Sequence, residues 1–150
     1  MVVNIHYHLL FSFLLIGGIS FNCFGQKNNV EPWKENQLMP AEDLAKLITD
    51  ESTQKPIIFN IGPAGKIKGS IYIGPAKEKD NMENLKEQLT KLPKDAVIVI
   101  YCGCCPFENC PNIRPAFELL NKMKFINYKL LSLQKNIKVD WIDKGYPMTE

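Results

Sequence analysis

Four of the five cysteines, Cys102, Cys104, Cys105 and Cys110, fall within one nine-residue stretch, CGCCPFENC, and Arg114 follows closely. Thiols so near one another in sequence cannot staple distant parts of a fold as a disulfide framework does, so they serve local chemistry or a local clip. Three kinds of chemistry are open to them. The first is thiol or persulfide chemistry, in which one thiolate is the nucleophile and a neighbour resolves the product. The second is a soft metal site, with Cys102, Cys104, Cys105 and Cys110 around Zn, Cu(I) or an Fe–S cluster. Against it, adjacent cysteines rarely ligate one ion well, and C-x-C-C-x4-C is unlike the paired C-x2-C knuckles of structural zinc. The third is a disulfide from Cys104 or Cys105 to Cys110 that holds a long loop.

Thiol chemistry fits the surroundings best, because a continuous apolar run, residues 96–101 (AVIVIY), leads directly into Cys102 and a helix pattern starts near Ile113. A run of β-branched type is the signature of a central strand buried on both faces. A cysteine at the carboxyl end of such a strand, facing a helix N-terminus, meets free amides and the positive end of a helix dipole, and both favour a thiolate. Cys102 is therefore the first choice of nucleophile, with Cys110, nearer the helix, the second and Cys104 and Cys105 as possible resolving partners. Arg114 is the only arginine among the 18 Lys and Arg residues. Its fork suits either an oxyanion or carboxylate, or the loop's own carbonyls and Glu108.

The elements that must position these residues alternate. A short amphipathic helix follows Pro40, with Leu44, Leu47 and Ile48 apolar. A buried strand spans 56–61, and a turn and short strand run to Ile73. A second helix carries Met82, Leu85, Leu89 and Leu92, and the strand 96–101 comes next. A helix follows from about Ile113, with Asn112 as expected N-cap and Phe117, Leu120 and Met123 facing inward. A strand through NYKLLSL and a short closing helix ending at Gly145 complete the chain. Alternation of this kind predicts one α/β domain with a mostly parallel sheet and helices on both faces.

Residues 9–19 (LLFSFLLIGGI) are too short to span a bilayer, which takes about 20 apolar residues, and instead have the form of a secretory h-region. The expected division is 1–25 signal segment, 26–37 linker or arm in which Trp33 packs, and 38–150 folded domain. The expected location is the periplasm or the exterior, with no membrane attachment after cleavage; lipidation at Cys23 is the lesser alternative. His6 and His8, the only histidines, leave with that segment. No Ser/His or Cys/His pair and no imidazole zinc site is then available. A net charge of +2 with lysines spread along the chain excludes the basic stripe of a nucleic-acid binder.

From about residue 38 onward the chain resembles the rhodanese superfamily. Residues 97–101 with Cys102 are similar to its active-cysteine strand, Arg114 to the arginine closing its loop, IIFNIG and GKIKGSIYIG to its upstream strand and turn, and WIDKGYP to its closing Trp and Gly-Tyr-Pro. Asn60 stands where that family usually has an aspartate, Lys66 where it has a histidine, and eleven residues rather than four separate Cys102 from Arg114. The pattern YCGCCPxxxCPNxRPA resembles an exported bacterial subgroup more closely than ordinary sulfurtransferases. The resemblance implies a three-layer fold, a loop of amides around the Cys102 sulfur, and a sulfurtransferase of thiosulfate or persulfide type, or a thiol-dependent sulfur reductase. It calls for no cofactor and for a small sulfur-containing donor or thiol acceptor as partner, and it names no protein partner. The alternative is a non-catalytic binding module on the same scaffold, its loop holding a soft ion, a disulfide clip or a protein.

The mature chain is expected to begin at Gln26 without lipid, since Cys23 and Gly25 suit the minus-three and minus-one positions. An N-terminal fragment mass checks this, and an acylated Cys23 or a retained Met1 would overturn it.

Overall fold

The structure, a computed structural model, describes residues 31–149. The expected signal segment and its cleavage point lie outside those residues. Five strands form one parallel sheet: β1 (Leu38–Met39), β2 (Ile57–Asn60), β3 (Ser70–Tyr72), β4 (Ile98–Tyr101) and β5 (Tyr128–Leu131), in the order β1-β5-β4-β2-β3. Three helices connect them: α1 (Ala41–Thr49), α2 (Lys79–Thr90) and α3 (Ile113–Lys122). A single π-type turn, Lys138–Ile142, replaces the expected closing helix. One antiparallel bridge, Ile67 to Met148, lies outside the sheet. Among the described residues no helix is long and apolar enough to cross a membrane.

Side-chain alternation along the strands divides the core into two layers. Phe59 on β2, Ile98 and Ile100 on β4, and Leu130 on β5 meet Leu85 and Leu89 of α2 and Ile113, Ala116, Phe117 and Leu120 of α3. Ile58, Val99, Tyr101 and Leu131 point the other way, onto Leu44 and Ala45 of α1 and onto Trp141. The inward spacing of α3, with apolar residues three and four apart, explains why that segment is helical. Trp141 is fully buried, stacks edge-on against Tyr146, and donates Nε1 to the Pro147 carbonyl. Lys66 and Lys68, in the turn before β3, are exposed.

The arm packs through Trp33 as expected, and the first residues of the domain add a strand that was not expected. Trp33 is buried between Phe107 and Phe117, and Leu38–Met39 adds a strand to β5. Two residues are too few to leave a strand period in the sequence, which is why β1 was not legible there.

Tyr101, the last residue of β4, ties the sheet to the 62–70 loop. Its buried hydroxyl donates to the Gly65 carbonyl at 2.7 Å, accepts from the Ile67 amide at 3.0 Å and lies 3.1 Å from Ser70 Oγ. Tyr101→Phe would leave the Ile67 N–H without that acceptor and is expected to lower stability by about 1–3 kcal/mol. Urea unfolding of the variant checks this; an unchanged midpoint would show that the loop is held by other means.

Candidate functional site

β4 occupies the middle of the sheet and is buried on both faces throughout. Its carboxyl end delivers Cys102 between Gly62 of the loop after β2 and Asn112 at the start of α3, at the end of the sheet where ligands of open α/β sheets collect. Cys102 is 3% exposed and Cys110 1%, whereas Cys104 is exposed and Cys105 half-buried. All four are free thiols. The loop that carries them is anchored near its start and in its middle: Gly103 O accepts from the Ile137 amide, Phe107 N donates to Leu133 O, and Phe107 itself is buried in the core. A short 3-10 turn, Phe107–Asn109, then brings Cys110 back beneath Cys102.

The structure brings three of the four thiols together. Cys102 Sγ lies 3.2 Å from Cys104 Sγ, and the sulfurs of Cys102, Cys104 and Cys110 all fall within 4.8 Å of one another. Cys105 stands outside that group, 3.3 Å from Cys104, with its side chain against the α2–α3 layer. The chain bends at Cys104 and Cys105, which leaves the Cys105 sulfur in contact with Cys104 but outside the group that Cys104 forms with Cys102 and Cys110.

Asn112 holds the N-cap position of α3 as expected, but its side chain has a different role. It precedes α3, but its side chain does not cap the helix. It is buried, accepts from the Lys77 amide at 3.0 Å through Oδ1, and donates Nδ2 to Cys102 Sγ at 3.2 Å. The backbone at Asn112 is already helical rather than extended, which turns the side chain away from the N-cap geometry and toward Cys102.

Gly62 was also unremarked. A Cβ built there would lie 2.5 Å from Cys102 Sγ, so only glycine lets the β2 loop approach this closely. Asn60, in place of the acid usual in the resembling family, is buried with both ends used: Nδ2 donates to the Gly65 carbonyl and Oδ1 accepts from the Gly62 amide. It shapes the loop and adds no charge near the sulfur.

The Cys102 thiol is drawn down to about 5. The Cys110 thiol is the largest cause, the Cys104 amide, the Asn112 carboxamide and the Cys104 thiol add to it, and burial opposes them. The sulfur cradle is thus one loop amide, one carboxamide and two thiols, rather than the ring of amides implied by the resemblance. The same contacts push the donors the other way: burial and its bond to Cys102 hold Cys104 up at about 12, and Cys110 is raised by donating to Cys102. Hydrogen bonding among the three sulfurs, with burial holding the protons on Cys104 and Cys110, makes Cys102 the seat of the thiolate. The α3 N-terminus beyond Asn112 adds a favourable dipole.

Arg114 is not at this sulfur. Its Nη2 sits 2.7 Å from the Glu31 carboxylate oxygens and donates to the Glu108 carbonyl at 3.2 Å, and the guanidinium lies over the Trp33 ring. Glu31, Glu108, Asn109, Cys110, Pro111 and Arg114 line a cavity of about 320 Å³ on the outer side of the loop. Arg114 thus joins the loop to the N-terminal arm, which accords with the expectation that it ties down a loop carbonyl; Glu31 as its carboxylate partner, 83 residues away in sequence, had no local signal.

No family model, curated protein or solved structure matches the chain. The chemistry therefore rests on the residues themselves.

Thiolate absorbance of the reduced protein should show an acid-side step with a midpoint at about 5, lost in Cys102→Ser and moved upward in Asn112→Leu, which removes a donor to the charged form. A first step found only in the alkaline range would show that Cys102 is an ordinary buried thiol.

Proposed function

We propose that the chain is a rhodanese-like protein that handles sulfane sulfur through a persulfide on Cys102, as a sulfurtransferase or a thiol-dependent sulfur reductase. The observation that carries this reading is Cys102 itself: a buried sulfur at the carboxyl end of the central strand, favoured as thiolate by Asn112 and its neighbours, with Cys104 Sγ at 3.2 Å. The three-layer α/β arrangement, with an all-parallel sheet, supports it. Export is part of the proposal and rests on the apolar run 9–19.

In the first step the Cys102 thiolate attacks the outer sulfur of a thiosulfate-type donor. The new S–S bond forms as the donor's own sulfur–sulfur bond breaks, and sulfite leaves with the electron pair. The persulfide is held where Asn112 Nδ2 and the Cys104 amide already meet the sulfur. A thiolate acceptor then takes the outer sulfur and regenerates Cys102.

A second outlet uses Cys104, deprotonated as it attacks. Its sulfur bonds to Cys102 Sγ, the Cys102 persulfide bond breaks, and hydrosulfide leaves with the electron pair. The product is a Cys102–Cys104 disulfide, which an external dithiol reduces with two electrons. Cys104 suits this role better than Cys110 because it is exposed and a reductant can reach it, whereas Cys110 is buried.

Reduced protein treated with thiosulfate should gain one sulfur atom by intact mass. Cys102→Ser should gain none. Cys104→Ser should gain it and release sulfide roughly tenfold more slowly with a dithiol, since the attack loses its positioned partner. Persulfide formation that survives in Cys102→Ser and disappears in Cys110→Ser would reassign the nucleophile; no sulfur gain in any form of the protein would remove the proposal.

A further inference from the structure

We infer that Cys102, Cys104 and Cys110 form a three-sulfur binding site for a trivalent thiophilic main-group centre, arsenic(III) or antimony(III), which they hold as an uncharged pyramidal complex. This inference concerns the resting trio of thiols and does not depend on sulfur transfer.

Geometry supplies the first reason. The three sulfurs lie within 4.8 Å of one another and one pair is at 3.2 Å, so a small ion could be bound with little movement. A tetrahedral zinc with bonds of about 2.3 Å spreads its sulfurs to about 3.8 Å and asks for a fourth ligand. Among the described residues Cys105 is the one further thiol, and it lies outside the group; no histidine is among those residues. A trivalent arsenic centre needs only three sulfurs, because its lone pair occupies the fourth direction, and its narrow angles suit sulfurs set close together.

Charge supplies the second. Three thiolates around Cu(I) carry a net charge of minus two, and around Zn(II) minus one. Excess charge taken out of water is costly unless it is paired. The groups acting on these sulfurs are other cysteines, backbone amides and Asn112, with no lysine or arginine among them. The one arginine is engaged by Glu31. With arsenic(III) the three negative charges and the three positive ones cancel. Arsenous acid, As(OH)3, plus three Cys–SH gives As(S–Cys)3 plus three water molecules: three As–O and three S–H bonds break, three As–S and three O–H bonds in water form. No oxidation state changes. Cys104, exposed at the surface, provides the entry point, and buried Cys102 and Cys110 form the floor.

The test is titration of the reduced full-length chain with arsenite, read by native mass, by ultraviolet thiolate–arsenic absorption and by X-ray absorption at the bound arsenic. One arsenic per chain with three sulfur neighbours is expected, with loss of three protons in the bound mass. Cys105→Ser should bind as the unaltered chain does. Cys104→Ser, an exposed position where folding is not at stake, should bind at least about tenfold more weakly, because the third tethered sulfur no longer adds its effective concentration. Two sulfur neighbours at the arsenic, equal binding by Cys104→Ser, equal loss in Cys105→Ser, or tighter retention of Zn(II) or Cu(I) than of arsenite in direct competition would each overturn the assignment.

Discussion

The burial of β4 on both faces is the constraint on which the rest depends. Ile98 and Ile100 pack toward α2 and α3, and Val99 and Tyr101 pack toward α1 and Trp141. A four-residue strand without a solvent face requires a neighbour on each edge and a layer above and below. Its parallel pairing with β2 and β5 obliges the chain to return through helices; α2 and α3, on either side of β4 in sequence, cover one face, and α1 with Trp141 covers the other. Cys102 is then wherever β4 ends. Its position is set by the sheet, and the loop needs only to close over it.

That division also explains what could be read from the residues alone. The run 96–101, the spacing of Leu85 and Leu89, and the inward faces of α1 and α3 are periodic signals, so the strands, helices and sheet type follow from them. Cys102 as the buried sulfur follows in turn, since it is the next residue after the strand. What depends on contact between distant segments carried no such signal: β1 against β5, Glu31 against Arg114, and Gly62 against Cys102. Asn112 shows the limit most clearly. Local rules assign such a residue before a helix to capping, yet tertiary contacts with Lys77 and Cys102 take both ends of its carboxamide.

Among the described residues no histidine, lysine or arginine acts on the Cys102 sulfur, which is an unusual electrostatic solution for a thiolate. Neutral donors replace the cation, and two of them are themselves thiols whose proton affinity rises as that of Cys102 falls. The stabilisation is therefore collective: any covalent change at Cys104 or Cys110 removes a donor from Cys102. Oxidation of the loop and the basicity of its central sulfur are linked through these bonds, which gives the redox state of the surroundings a direct influence on the nucleophile.

The two outer strands of the sheet are also its shortest: β1 has two residues and β3 three. Ile71 and Tyr72 on β3 are well exposed, and an apolar edge of full length would invite pairing between molecules. Here the unpaired backbone extends for too few residues to template a foreign strand, and Lys66 lies over the Tyr72 ring at 5.7 Å. The sheet thereby resists aggregation at its margins while remaining parallel and apolar within. A protein whose working sulfur is mounted on the middle strand gains from this, because edge-to-edge polymerisation would distort the very strand that holds Cys102.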